Sequence, residues 1–286
     1  MIFHYSVLLK KITNIIKNIK RSIYIDATFG TGYLTKVLLN NINVLIIAID
    51  CDYSSIYYYK FLKLNLLKRC VFFRDNFINI NIILNKLKYK KIDVITFDLG
   101  ISSIQFSDKY RGFSFFRKCV IDMRLDQSLN YTIEKSINYL SLKKILDIIN
   151  NYCFTYKINE LVYNIFKYKK NIILTSDLID IIKINNLHIS CLTFYCTKIF
   201  QALRIYLNKE LENLYFTLIK IKKYINTKGK ILILSFNTLE TKIVQNVFNK
   251  IINNDIFNKL IKSNIFELSL NIRCRSARLI LIKRVK

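Results

Sequence analysis

Proline and tryptophan are absent from the 286 residues of the sequence, and only five glycines and two histidines are present. Because proline and glycine mark most turns, their scarcity makes each remaining glycine informative about where the chain changes direction. The seven cysteines include no Cys-x-x-Cys pair, so a zinc site has little support and we expect no metal. The odd cysteine count, without a secretory signal, predicts reduced thiols that are mostly buried.

Long uncharged apolar runs are also missing, although 52% of the residues are hydrophobic and the mean hydropathy is +0.23. No stretch of about 18 residues stays apolar, so the sequence predicts no membrane span. The N-terminal stretch MIFHYSVLLKKITNIIKNIKR lacks the basic, apolar and small-residue order of a signal peptide and is typical of an amphipathic helix. These features predict a cytoplasmic protein of one large domain or two modest ones.

Acidic residues are scarce, since 19 Asp and Glu oppose 46 Lys and Arg and leave a net charge of +27. A surplus of this size favours a polyanionic partner, most often a nucleic acid. The abundance of Ile, Lys, Asn, Tyr and Phe, with no proline, is also what AT-rich codons produce. Charge alone therefore leaves two interpretations open, a nucleic-acid-binding surface and a lysine surplus that follows from codon usage.

Short strand-like runs alternate with helical patterns, which is typical of a parallel sheet covered by helices on both faces. The predicted strands are 22–26, 44–50, 70–74, 94–98, 230–236 and 277–283. The predicted helices are 31–40, 54–66, 78–88, 200–224 and 238–252, and 227–229 would connect the long helix to the fifth strand. Residues 102–199 are too long for a crossover and mostly 3.6-periodic. We therefore predict an α/β domain of residues 1–101 and 200–286, with 102–199 as an inserted helical subdomain.

Glycines and carboxylates follow the predicted strands, at the edge where open α/β sheets bind ligands. Gly30 and Gly32 allow close approach of the backbone to a ligand at a helix start, or else form only a tight turn. Asp50 follows the glycines by about 20 residues, the spacing of a carboxylate that accepts ribose hydroxyls. Asp98 ends the fourth strand, and Phe77 after the third would stack on a base or belong to the core. The set favours an adenosine-containing ligand.

Two neighbouring residues help to choose among such ligands. Thr35 stands where a dinucleotide fingerprint would have its third glycine. Asp52 is better explained as the cap of the next helix than as a ligand. The arrangement fits a methyltransferase sheet that holds S-adenosylmethionine better than a sheet that holds NAD. The absence of proline also excludes the Asp/Ser-Pro-Pro-Tyr loop that is usual in DNA amino-methylases.

Nine sequence blocks occur in one order along the chain: HYSVLL, YIDATFGTG, AIDCD, FDLGISSIQF, RGFSF, IDMRLD, FQALRIYLNKEL, SFNTLE and RCRSARL. Together they closely resemble the bacterial 16S rRNA cytosine-N4 methyltransferase H family, over essentially the whole chain. DLGISSIQ, RGFSF and DMRLD are the most specific of these blocks. The composition suits an AT-rich, reduced genome, with a bacterial endosymbiont as the first option and a plastid-like organelle as the second.

The resemblance implies a class I, Rossmann-like S-adenosylmethionine-dependent methyltransferase sheet whose inserted helical subdomain recognises the substrate. The implied substrate is the P-site decoding cytidine of 16S rRNA in the 30S subunit, methylated on N4. Carried over by position, the donor contacts are Gly32, Tyr33, Leu34, Asp50, Phe77, Asp98 and Gln105. The resemblance does not decide the oligomeric state, for which a homodimer is one option.

The chain departs from the family pattern at identifiable positions. The family's Gly-Gly-His after the first strand reads Gly32-Tyr33-Leu34, so backbone contacts remain available there and a histidine contact does not. The family's Phe-His-Ser-Leu-Glu-Asp has Asn237 in place of its histidine, and Lys11 replaces an acidic residue. These departures keep open an alternative, a degenerate, non-catalytic rRNA-binding assembly factor. A nicotinamide oxidoreductase is a further alternative, but the chain lacks a suitable hydride-transfer histidine.

Asp98 is the predicted catalytic residue, because a carboxylate beside the target amine would draw its lone pair toward the methyl group and accept the proton. The other possibility is that Asp98 only holds the donor. Phe113 and Phe115 would stack on an extruded cytosine or belong to the core. Asp122 and Arg124, in the insertion, would contact substrate or form a buried salt bridge that joins the insertion to the sheet. The predicted RNA contacts are Arg111, Phe113, Phe115, Asp122, Arg124, Asn237, Arg273, Arg275 and Arg278, of which the last three would pair with phosphates or form a solvated strand.

Overall fold

The computed structural model describes residues 7–17, 22–41, 43–153, 158–184, 189–251, 256–262 and 275–284, and the fold is given for these residues. The chain divides into two compact units. Unit 1 comprises Met1–Gly100 and Leu211–Lys286, and unit 2 is Ile101–Glu210. The predicted insertion, 102–199, ends before unit 2 does. Residues 200–224 had been predicted as one continuous helix of the other domain, whereas two helices meet near residue 209.

The strands of unit 1 form a seven-stranded sheet in the order β3-β2-β1-β4-β5-β7-β6. Their bounds are β1 Ser22–Asp26, β2 Val44–Asp50, β3 Cys70–Arg74, β4 Ile92–Asp98, β5 Ile225–Ser235, β6 Ile256–Lys262 and β7 Arg278–Arg284. The first five strands pair in parallel, and β7 runs antiparallel to both β5 and β6. This order confirms the predicted α/β class with a mostly parallel, Rossmann-like sheet. The antiparallel β7 departs from the 3-2-1-4-5-6 order of dinucleotide-binding sheets.

The helices of unit 1 cover both faces of the sheet. They are α1 Leu9–Ile16, α2 Tyr33–Asn41, α3 Ser54–Phe61, α4 Ile80–Lys86, α11 Glu210–Ile221 and α12 Thr238–Ile251. Strand β2 explains the two layers, because alternate residues point to opposite faces. Ile47 and Ile49 belong to a core that includes α4, α11 and α12, whereas Ile46 and Ala48 belong to a core that includes α1 and α2. Burial on both faces accounts for the near-continuous apolar sequence of the strand.

Unit 2 is helical and has its own apolar core. Its helices are α5 Ser103–Ser107, α6 Ile133–Tyr139, α7 Leu142–Cys153, α8 Ile158–Tyr168, α9 Thr175–Ile184 and α10 Ile189–Asn208. The prediction of one helix over 200–224 is wrong, since Lys209 has a left-handed backbone with φ of 50° and separates α10 from α11. Arg204 fixes this break by donating from Nε and Nη2 to the two carboxylate oxygens of Glu210, at 2.8 and 3.1 Å.

Two further differences from the prediction concern strands β5 and β6. Strand β6 was not predicted, and residues 227–229 lie within β5 instead of forming a connector. The pairing of β4 with β5 shifts register between Ile92 and Val94, so the strand continues through an irregular stretch. No helix in the described part of the chain is both long and apolar enough to cross a membrane.

Candidate functional site

The loop after β1 lies against the ends of two neighbouring strands. The Ala27 amide donates to the Thr96 carbonyl at 2.9 Å, and the Phe29 amide donates to the Ile49 carbonyl at 3.0 Å. Gly30 and Gly32 both have positive φ, +54° and +72°. A Cβ on Gly32 would lie 2.3 Å from Cζ of Phe29, whereas a Cβ on Gly30 would meet no atom closer than 4.0 Å. Gly30 therefore presents an open backbone face, on which a ligand can approach closely.

Asp50, at the end of β2, joins this glycine loop to the loop that follows its own strand. Its Oδ2 accepts from the Gly30 amide at 2.6 Å, and its Oδ1 accepts from the Asp52 amide at 2.8 Å. Burial raises the pKa of Asp50 to about 6. The Ser55 side chain is a third donor to Asp50, and because a carboxylate has about four lone-pair positions, about one remains for a ribose hydroxyl. Asp52 in turn accepts from the Ser54 amide at 2.8 Å, consistent with its predicted role at a helix start.

Asp98 ends β4, the strand beside β1, and its position is fixed through its backbone. Its amide donates to Oγ1 of Thr28 at 2.6 Å, and the next amide, of Leu99, donates to the Leu234 carbonyl at 3.0 Å. The chain leaves β1 toward β2 on one side and reaches β4 on the other, so the β1 and β4 ends form the switch point of the sheet. Gly30, Asp50 and Asp98 therefore meet at the edge where such sheets bind ligands.

Asp26, the last residue of β1, and Thr35, in the first turn of α2, stabilise this edge of the sheet. The sequence analysis did not assign either residue to the site. Both are buried, and Oγ1 of Thr35 donates to Oδ2 of Asp26 at 2.7 Å. Burial raises the pKa of Asp26 to about 6. The bond holds the first turn of α2 against the end of β1. This hydrogen bond explains why Thr35 occupies the position at which a dinucleotide-binding site has glycine. The sequence signal that could have assigned Asp26 to the site is a carboxylate at the end of a buried strand.

The remaining donor contacts implied by the resemblance have other packing roles as well. The Leu34 side chain is buried in the core of unit 1, so a donor contact there would use its backbone. Tyr33 is half-buried at the start of α2. Phe77 packs edge-on against Phe97, with ring centroids 5.6 Å apart, which favours the core alternative for part of its surface. Gln105 forms a capping box in unit 2, because its Oε1 accepts from the Ser102 amide at 2.8 Å.

Two predicted RNA contacts lie inside unit 2 and not on its surface. Arg111 is buried, and its Nη2 donates to the carbonyls of Arg124 and Leu125 at 2.8 and 3.2 Å. Its guanidinium also lies 5.6 Å from the ring centroid of Phe113, which is buried in the core of the unit. Neither side chain is exposed to stack on a base in this structure. Both hold the 111–125 segment in place.

Asp122 and the half-buried Arg124 form a salt bridge, but it does not join the insertion to the sheet as the predicted alternative had it. Nε and Nη2 of Arg124 donate to the two carboxylate oxygens of Asp122 at 2.8 and 2.7 Å. Hydrogen bonding to this carboxylate raises the pKa of Arg124 above its ordinary value. Both partners belong to unit 2, so the pair closes a loop within that unit. The fully buried Met123 between them has a positive φ of 61°.

Exposed aromatic side chains of unit 2 lie beside the positions that the sequence analysis chose. Phe115 is half-buried against Phe200, with centroids 5.6 Å apart. Tyr110 and Phe116 are each 73% exposed. The Lys109 ammonium lies 5.0 Å from the Tyr110 ring centroid, and Arg117 donates to the carbonyl of Ser107, which joins the two segments. The signal that was missed is the alternation of cations and aromatics in DKYRGFSFFRK.

Four of the predicted contacts lie in the C-terminal part of the chain. Asn237 precedes α12 and caps it, because its Oδ1 accepts from the Glu240 amide at 2.9 Å and its Nδ2 donates to Glu240 Oε1 at 2.7 Å. Arg278 is half-buried and pairs with Ser235, the last residue of β5, so it lies at the edge of the strand ends. Arg275 is exposed, and Arg273 lies outside the described residues. Across the described chain, no group of three or more His, Cys, Asp or Glu is arranged to hold a metal ion.

Comparison with known proteins identifies the family of the chain. The sequence model of the MraW methylase family matches residues 1–285. The ribosomal RNA small subunit methyltransferase H of Ehrlichia canis (strain Jake) is 34% identical over 260 residues, which cover 88% of this chain and 86% of that protein. The protein of the same name from Wolbachia sp. subsp. Drosophila simulans (strain wRi) is 32% identical over 291 residues, 99% of each chain.

A solved structure supports the fold alone. The crystal structure of an rRNA methylase from Streptococcus thermophilus superposes with a TM-score of 0.50 at 9% identity, over 99% of this chain and 100% of that one. The family match extends over essentially the whole sequence, as the nine blocks predicted. The chain belongs to the MraW methylase family, the family of ribosomal RNA small subunit methyltransferase H.

Proposed function

We propose that the chain transfers the methyl group of S-adenosylmethionine to the exocyclic N4 amine of the P-site decoding cytidine of 16S rRNA, within the 30S subunit. The observation that carries this proposal is the meeting of Gly30, Asp50 and Asp98 at the switch point of the sheet, in a chain of this family. We further propose that it acts in the cytoplasm, the compartment of bacterial small ribosomal subunits.

The residues at the strand ends fit the donor. When bound, S-adenosylmethionine supplies an electrophilic methyl group on its sulfonium. The open backbone face of Gly30 accommodates the donor at close range, and Asp50 accepts from a ribose hydroxyl with the lone pair that Gly30, Asp52 and Ser55 do not use. Phe77 presents the part of its ring that does not pack on Phe97 to the adenine. These contacts orient the methyl group of the donor toward Asp98, at the carboxyl end of β4.

Asp98 carries the proposed chemistry. The N4 lone pair of cytosine is delocalised into the ring, so the amine is a poor nucleophile, and in-line placement of nitrogen and methyl supplies much of the rate. A carboxylate that accepts a hydrogen bond from N4 localises the lone pair for attack. As the N–CH₃ bond forms and the S–CH₃ bond breaks, the amine proton passes to Asp98 and then to water. The alternative role, holding the donor alone, predicts a different result in the experiment below.

Replacing Asp98 with asparagine tests this role. Asp98→Asn keeps size and one acceptor but removes the charge, so methyl transfer in single turnover, with saturating donor and 30S subunits, should slow about 100-fold or more. Donor affinity by calorimetry should change much less. The exposed Asp180→Asn on α9 is the matched control and should behave as wild type.

Three outcomes contradict parts of the proposal. Near-normal turnover in Asp98→Asn reduces Asp98 to a residue that positions the donor. A wild-type product other than N4-methylcytidine, read by mass spectrometry of digested rRNA, overturns the site of methylation. If the wild-type protein binds RNA but neither binds S-adenosylmethionine nor methylates the rRNA, the proposal that it is an enzyme is overturned.

A second candidate function is the non-catalytic rRNA-binding assembly factor. It is favoured by the burial of the Leu34 side chain in the core and by the use of Asn237 as a helix cap, since both replace family histidines. Calorimetry with S-adenosylmethionine separates the two candidates, because only the enzyme binds the donor.

For unit 2 we propose a role in substrate recognition. Its exposed Tyr110 and Phe116, with Lys109 and Arg117 beside them, supply the aromatic faces and cations that bind unpaired RNA bases and phosphates. This assigns to Tyr110 and Phe116 the stacking role first predicted for Phe113 and Phe115. The buried Phe113 instead stabilises the unit.

A further inference from the structure

A stripe of exposed aromatic rings runs along helix α3 of unit 1. Tyr53, Tyr57 and Phe61 are 50%, 62% and 54% exposed. Tyr53 precedes the helix with helical backbone angles, so the three residues follow one another at helical intervals of four. Residues four apart lie on one face of a helix, about 6 Å apart along its axis. The Tyr53 and Tyr57 rings are in contact, with centroids 5.6 Å apart.

These rings are not needed for packing of the helix. Its inner face consists of the buried Ser55 and of Tyr58, Tyr59 and Leu62, the last three packed against the core that includes α1 and α2. Exposed large aromatic side chains that recur on one face are a mark of an interaction surface, whereas single ones are ordinary. The three exposed rings therefore indicate a surface that binds another molecule.

The segment that carries the stripe is basic throughout. Residues 53–74 contain no Asp or Glu, and their five cations, all exposed, are Lys60, Lys63, Lys68, Arg69 and Arg74. The Arg74 guanidinium lies 5.8 Å from the Tyr53 ring centroid. The carboxylates at the two ends of the segment are engaged, since Asp52 accepts from Ser54 and Asp75 accepts from Asn76 and Asn79. We call these rings and cations the α3 surface.

The α3 surface adjoins the edge of the sheet that carries the candidate donor site. Asp50 ends β2, and Arg74, its register partner, ends β3. Helix α3 begins at Ser54, shortly after Asp50. The end of the α3 surface that carries Tyr53, Tyr57 and Arg74 therefore lies beside the strand ends, whereas Lys68 and Arg69 precede β3 and lie toward the other edge of the sheet.

We infer that the α3 surface binds an unpaired segment of ribosomal RNA that flanks the methylated nucleotide. Base stacking on aromatic rings along a basic surface is how proteins hold single strands without reading their sequence. The inference rests on the rRNA substrate of the proposed function. A second copy of this chain is a poor occupant, because a two-fold contact would bring the same cations against one another.

The aromatic contribution is tested with Tyr57→Ala/Phe61→Ala. Affinity for a labelled 16S rRNA fragment spanning the decoding cytidine, measured by fluorescence anisotropy, should fall by about tenfold or more, because two stacking platforms are lost. The matched control is Tyr215→Ala/Phe216→Ala on α11, which removes one tyrosine and one phenylalanine that are 42% and 50% exposed. The control should bind as wild type, and both variants should keep the wild-type Tm.

The cationic contribution is tested with Lys60→Gln/Arg74→Gln, since both cations are exposed and Arg74 lies at the carboxyl edge of the sheet. The slope of log K against log salt should decrease by about 1.4, since each phosphate contact on a single strand contributes about 0.7. Lys88→Gln/Lys90→Gln is the control, because these exposed lysines lie between α4 and β4, at the opposite edge of the sheet. Its slope should equal that of the wild type.

The outcomes separate this inference from the proposed function. Wild-type RNA affinity and an unchanged salt slope in the α3 variants overturn the inference, whatever the enzyme does. Loss of 30S binding with unchanged affinity for the protein-free fragment overturns it in favour of a protein partner, and loss of self-association in sedimentation overturns it in favour of a second copy. Absence of methylation by the wild type overturns the proposed function alone, since RNA affinity is measured independently.

Discussion

At the scale of single residues, two buried carboxylates support the strand ends, and they contribute in different ways. Asp50 was predicted from its distance to the glycines, because that spacing follows from one strand-helix-strand unit. Asp26 was not assigned, since its role depends on the hydroxyl of Thr35 reaching it across a loop, which spacing does not reveal. The same limit explains Phe113 and Phe116. Neighbouring aromatics in RGFSFF look alike in sequence, and only the fold decides which of them is buried.

Asp26 predicts a pH dependence of stability. Its pKa is about 6 in the folded chain and near 3.8 when unfolded, so the folded state binds the proton more tightly. The stabilisation is complete below pH 4 and is lost as pH rises toward 6, by up to about 2–3 kcal/mol. Asp26→Asn should flatten the pH dependence of the free energy of unfolding between pH 4 and 7. Urea titrations measure this, and the exposed Asp180→Asn should leave the slope as it is; equal slopes in all three proteins contradict the prediction.

At the scale of elements, the first three strands have the predicted bounds, because each is a short apolar run that ends at a charged residue, and the first two are largely buried. Strand β6 was missed, since IFNKLIK at a sheet edge has neither strict alternation nor a continuous apolar run. The break between α10 and α11 was missed because the apolar periodicity continues through it. Its cause is tertiary, a left-handed Lys209 held by the Arg204–Glu210 pair, and no proline or glycine marks it.

Lys209→Gly tests this account of the break. A left-handed backbone costs a residue with a side chain about 1–2 kcal/mol, and glycine avoids this at an entropic cost of about 0.4–1 kcal/mol. The free energy of unfolding should therefore rise by about 0.5–1 kcal/mol. Glu212→Gly, at an exposed position within α11, should lower it by a similar amount, because glycine there only weakens a helix. Destabilisation by both changes would show that the backbone at Lys209 is not strained.

At the scale of the whole molecule, charge is the property that sequence and structure describe together. The surplus of 46 basic over 19 acidic residues was open to two explanations, an RNA surface and codon usage. The structure separates the cations by location, since Arg111, Arg124 and Arg204 are engaged inside unit 2, while Lys60, Lys63 and Lys68 are exposed. Net charge is therefore a poor guide to contact number, and burial has to be known for each residue.

The double change Arg275→Gln/Arg278→Gln tests whether the C-terminal arginines contact RNA phosphates. If both residues contact phosphates, the slope of log K against log salt for the rRNA fragment should decrease by about 1.4. Affinity should fall similarly for unrelated RNA of the same length, because phosphate contacts carry no sequence information. Lys88→Gln/Lys90→Gln again provides the control. A slope equal to that of the wild type would mean that these arginines belong to a solvated strand.

The place of β7 in the sheet has a consequence for the timing of folding during synthesis. Strand β7 is the last in the chain, yet in the described sheet it lies between β5 and β6, which do not pair with one another. Until residues 278–284 are made, β5 has an open edge and β6 has no neighbour in that sheet. Nascent chains generally fold from the N-terminus. Here the β5-β7-β6 part of the sheet closes only once residues 278–284 have been made, so the β3-β2-β1-β4 part can form first and the remainder must follow it.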